Sequence, residues 1–155
     1  MRLNRLFRYA IYGAFAALFL SGALWFLADG LKDSPDGETW QAISANLLMI
    51  HGGAAMLTLM LLGALAPVHG LRAWRAKKNR VTGAAMASLN GVLIVTAFAL
   101  YYLGSENLRP WLSNIHLAAG CALPIQLAAH IYFGRRRSAA AAKPPFAAVA
   151  PARFP

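Results

Sequence analysis

The chain has 155 residues, 59% of them hydrophobic and only 13% charged, which is one domain's worth of chain with too little charge to clothe a water-soluble globule. Fifteen Lys and Arg against five Asp and Glu give a formal net charge of +10, yet the bases stand in short clusters between long uncharged stretches, which argues against a nucleic-acid face. A single cysteine, Cys121, excludes an internal disulfide framework, a CxxC redox pair, a cysteine zinc site and haem attachment through CxxCH.

Four stretches, residues 9–28, 39–71, 81–105 and 110–134, contain no Asp, Glu, Lys or Arg. Each exceeds or matches the roughly 20 apolar residues a bilayer requires and is too long for a strand, so helix is the backbone that satisfies its own hydrogen bonds in lipid. The expected helices are about 9–28, 42–71, 82–103 and 111–134. A secretion signal is the weaker reading of the first, because its apolar run is long and no clear A-x-A site follows.

Arg2, Arg5 and Arg8 precede the first span; Arg72, Arg75, Lys77, Lys78 and Arg80 lie between the second and third; Arg135, Arg136, Arg137, Lys143 and Arg153 follow the fourth. All five acids, with Lys32 and Arg109, fall on the other side. The positive-inside rule therefore predicts both termini in the cytoplasm. The fold class expected is all-α: an integral membrane four-helix bundle over residues 1–137, with an Ala/Pro-rich cytoplasmic tail over 138–155, in the inner membrane of a bacterium.

No charged residue lies inside a span, so the four histidines carry the chemistry. His51 and His69 are in the second span, His116 and His130 in the fourth. The first two are 18 residues apart, five whole turns and roughly 27 Å of rise; the other two are 14 apart, within about 40° of four turns and roughly 21 Å. Both spans run from outside to inside, which predicts facing pairs at two depths: His51 with His116 outside, His69 with His130 inside. Pro67 and Pro124 are expected to kink these helices, and such kinking would absorb the roughly 6 Å mismatch in rise.

Imidazoles facing each other across a bundle are the axial ligands of a haem iron. Zinc fits less well, since neither depth offers Cys, Asp or Glu to complete a tetrahedron. The expected metal ligands are thus His51, His116, His69 and His130, holding two non-covalent b haems. Gly52, Gly53, Gly70 and Gly120 beside them permit close approach of a porphyrin or of another helix. Leu62, Leu123 and Leu127 lie between the two depths as core. Propionate-binding candidates are Arg109 and Asn114 outside, Arg72 and Arg75 inside. Asn90 and Gln126 could bond a histidine's second nitrogen, bond a quinone carbonyl, or tie helices together.

On His51-Gly-Gly, His69-Gly, His116 and His130, the chain resembles the membrane-embedded di-haem b-type cytochromes, broadly the cytochrome b561-like and quinol-oxidising cytochrome b class, over roughly residues 5–137. The 14-residue step in the fourth span is similar to that class; the 18-residue step in the second departs from it. The resemblance implies transmembrane electron transfer between a quinone pool and a soluble electron carrier or redox partner subunit, in a larger assembly. The rival readings are a cofactor-free membrane anchor or assembly subunit, and a small transporter or metal permease.

Overall fold

The computed structural model describes residues 4–77 and 79–141. Helix α1 spans Arg5–Asp29, α2 Gly37–Leu65, α3 Leu71–Arg75, α4 Arg80–Tyr102 and α5 Arg109–Ala141, and a π-helical segment, Ala66–Gly70, joins α2 to α3. Helix α2, the π segment and α3 form one continuous span, so four helices are long and apolar enough to cross a membrane: Arg5–Asp29, Gly37–Arg75, Arg80–Tyr102 and Arg109–Arg137.

Local chemistry sets the boundaries. Asn4 caps α1 by accepting the Leu6 N–H through its side chain (3.2 Å), which starts the helix at Arg5, four residues before the apolar run. The turn into α2 needs Gly37, because a Cβ there would collide with the Lys32 carbonyl. Asp36 precedes α2 and Glu38 lies in its first turn, where a carboxylate complements the exposed N–H groups. Between α3 and α4 the chain reverses through Lys77 (φ 55°) and Asn79 (φ 50°), both in the left-handed region.

Two helix ends run past the sequence reading. The second span continues past residue 71 to Arg75, the fourth past 134 to Ala141. Arg135–Arg137 and the alanines after them are good helix formers, so the backbone stays helical beyond the apolar run. The expected tail therefore begins as helix; its remainder, with Lys143 and Arg153, lies outside the described residues, as do Arg2 and Lys78. Pro67 does not simply kink its helix. Lacking an N–H for the Gly63 carbonyl, it sits inside the wider π turn, whereas α5 runs through Pro124 as one helix.

Helix α1 packs along α2, and α4 along α5; α1 also touches α5, and these pairs dominate the bundle. The core is a cluster of Ile11, Phe15 and Leu123, against which Leu62, Leu65, Met86, Leu93 and Leu127 pack. It occupies the middle third of the bundle, between the two histidine levels. Elsewhere large apolar side chains point outward, Met60 at 73% exposure and Ile125 at 74%. Exposure on this scale is untenable in water and ordinary where lipid is the solvent.

Candidate functional site

His51, His116 and His130 are half-buried on the inner sides of their helices, and His69 is exposed. His51 and His116 meet at one level with ring centroids 6.2 Å apart and planes 76° apart; His69 and His130 meet at a second level, also at 6.2 Å, with planes 81° apart. The first pair lies toward the end carrying the acids, the second toward the basic end. The two levels agree although the sequence separations are 18 and 14 residues. The π segment removes part of the difference: a π turn holds more residues than an α turn, so it advances less per residue on the way to His69.

Hydroxyl groups on the two helices without histidines fix the rings. The Nδ1–H of His51 donates to Ser21 Oγ on α1 (3.0 Å), that of His116 to Thr96 Oγ1 on α4 (2.8 Å), and that of His130 to Thr82 Oγ1 on α4 (3.2 Å). The direction is set by where each hydroxyl sends its own hydrogen. Ser21 donates to the Ala17 carbonyl (2.6 Å), Thr96 to that of Val92 (2.7 Å) and Thr82 to that of Asn79 (3.3 Å), so each oxygen has lone pairs left to accept. The proton thus belongs on Nδ1, and Nε2 keeps its lone pair. Ser21 and Thr96 are themselves buried. Beside Ser21, Gly22 provides the room His51 needs: a Cβ on it would stand 3.2 Å from the ring's Cε1.

The spacing can be tested against a bridging metal. With a metal–imidazole bond of about 2 Å and about 1.1 Å from nitrogen to ring centre, two axial imidazoles on one iron stand about 6 Å apart, centre to centre. Both pairs meet this. Among the described residues no group of three or more His, Cys, Asp or Glu could hold a metal ion, so each level offers two imidazoles and no such third donor. Two imidazoles alone suit a metal whose other four positions are filled by a macrocycle.

Of the remaining candidates, Asn114 stands two residues before His116. With Trp25, Asp29, Trp40, Ser113 and Leu117 it lines an open cleft of about 840 Å³ at the acidic end. The same cleft reaches Leu47, one turn before His51. Arg109 instead reaches the Leu100 carbonyl (3.4 Å), bridging α5 to the end of α4. Arg72 and Arg75 are exposed on α3, beyond the basic-end pair. Asn90 donates to the Met86 carbonyl of its own helix, and Gln126 lines a shallow groove of about 280 Å³ between α4 and α5 with Ala85, Leu89 and Ala122. Neither bonds a histidine; that role belongs to Ser21, Thr96 and Thr82. Sequence reasoning missed these three, although Thr82 and Thr96 stand 14 residues apart, the same step as His116 and His130 on the antiparallel neighbour.

The chain matches no protein-family model, no curated protein and no solved structure.

Proposed function

We propose that this chain is a membrane b-type cytochrome that carries electrons through two bis-histidine haems. The observation that carries the reading is the pair of 6.2 Å imidazole contacts, one at each end of an apolar core. His51 and His116 would hold one haem, His69 and His130 the other, with Asn114 placed for propionates at the acidic end and Arg72 and Arg75 at the basic end. The haem supplies a reversible one-electron iron couple. The protein's own part would be to supply oriented, neutral imidazoles, His51 and His116 at one level and His69 and His130 at the other. It also separates the two levels by a rise of about 21 Å lined with Leu62, Leu123 and Leu127.

The charge asymmetry supports an orientation with the basic end and both termini in the cytoplasm of a bacterial inner membrane. With no flavin, nicotinamide or iron–sulfur motif, the chain serves as the electron-transfer subunit of an assembly, exchanging electrons with a redox partner subunit or soluble carrier and with a quinone.

An absorption spectrum of the purified protein, with haem extracted and counted per chain, tests this. Two haems per chain are expected. A colourless protein would overturn the reading and favour a cofactor-free anchor, in which the hydroxyl–imidazole bonds merely tie α1 to α2 and α4 to α5.

A further inference from the structure

The four histidines are not held alike. His51, His116 and His130 are half-buried, and each is anchored through its second nitrogen. His69 is exposed, and no side-chain hydrogen bond reaches its ring among the described residues. The cause is legible on α1, which supplies Ser21 to His51 at the acidic end. Fourteen residues earlier, toward the basic end, α1 presents Phe7, which has no hydroxyl and packs against the core.

The backbone under His69 is also the least supported of the four. It lies two residues after Pro67 in the π segment, which packs chiefly onto its own neighbours α2 and α3. None of the residues from Ala66 to Arg72 is buried. A segment with few tertiary contacts opens at low cost. A π turn has, in addition, a ready alternative: conversion to α-helix shifts the register by one residue and turns the downstream part of the span by about 100°.

We infer that His69 is an exchangeable ligand, and that the basic-end iron is a binding site for small exogenous donors such as carbon monoxide, nitric oxide or cyanide. This rests on the haem reading above. In the exchange the iron–Nε2 bond to His69 breaks, the electron pair leaving with the imidazole, and an iron–ligand bond forms from the incoming lone pair. No electron is transferred. His130, held by Thr82, stays bound on the opposite side, while the acidic-end iron, between two anchored imidazoles, remains closed.

Carbon monoxide added to the dithionite-reduced full-length protein in detergent is the test. One of two haems is expected to give the carbonyl difference spectrum, at a rate that levels off with rising carbon monoxide because loss of His69 limits it. In His69→Ala the same haem should react at a rate linear in carbon monoxide. Ser21→Ala with Thr96→Val should make the second haem reactive as well. A wild-type protein with two haems that ignores carbon monoxide overturns this inference and leaves the cytochrome reading standing, as does reaction at the haem lost in His51→Ala. A protein without haem overturns both.

Discussion

At the scale of single residues, the hydroxyls decide the character of the site. An imidazole whose Nδ1–H is accepted by an oxygen is a more basic ligand and favours the ferric iron. Ser21→Ala or Thr96→Val should therefore shift the midpoint potential of the acidic-end haem to a more positive value and leave the other unmoved, as read by redox titration. Gly22→Ala is the steric counterpart. Its Cβ would lie 3.2 Å from the His51 ring, whereas a Cβ at Gly13 on the same helix meets nothing within 4 Å. Crowding of this kind costs about 1–3 kcal/mol. Gly22→Ala should lower the thermal midpoint and weaken retention of the acidic-end haem, while Gly13→Ala should change neither. The histidines could be picked out from sequence because an ionisable group in a membrane span is costly and rare. Their partners could not, because serine and threonine in such spans commonly bond back to their own helix, as Thr58 does to the Ala54 carbonyl.

At the scale of elements, the second span departs furthest from expectation. Its apolar pattern gives its existence, length and direction, but the pattern is blind to a single wide turn, and so the 18-residue step reads as roughly 6 Å longer in rise than the 14-residue one. Pro67 marks the place: the π segment is built around it, and His69 within that segment meets His130. Replacing Pro67 by Ala restores the missing N–H and favours a regular helix, which swings His69 away from His130. The haem content of Pro67→Ala should fall from two per chain toward one, the survivor being the one lost in His51→Ala. The fourth span carries the converse lesson. Pro124 predicts a break as strongly as Pro67 does, yet α5 continues through it, with Ala119 and Leu123 buried in the turn before it. Packing on those neighbours holds the helix where local propensity would end it.

For the whole molecule, the sequence pattern was sufficient for the fold class: the four long charge-free stretches are four helices long and apolar enough to cross a membrane. The pairing of helices was not legible in the same way. Helices α1 and α2 pack together, as do α4 and α5, while α2 and α5 meet chiefly through their histidines. A ligand that binds only the folded state adds to stability by mass action. Protein made under haem starvation should consequently show a lower thermal midpoint and faster proteolysis than the loaded form, with His51→Ala and His69→Ala falling between.

The connection between α3 and α4, a turn through Lys77 and Asn79, divides the molecule into two hairpins, and each brings one imidazole to each level. Every orienting hydroxyl, Ser21 for His51 and Thr96 and Thr82 for His116 and His130, comes from the same hairpin as the ring it steadies. On the haem reading proposed above, the first half would bring His51 already anchored and the second would bring His116 and His130, to be joined across the metal. A haem held in this way would act as a rivet joining the two pieces. Two polypeptides severed at that turn and made together should recombine in cells that produce haem and drift apart in cells that do not.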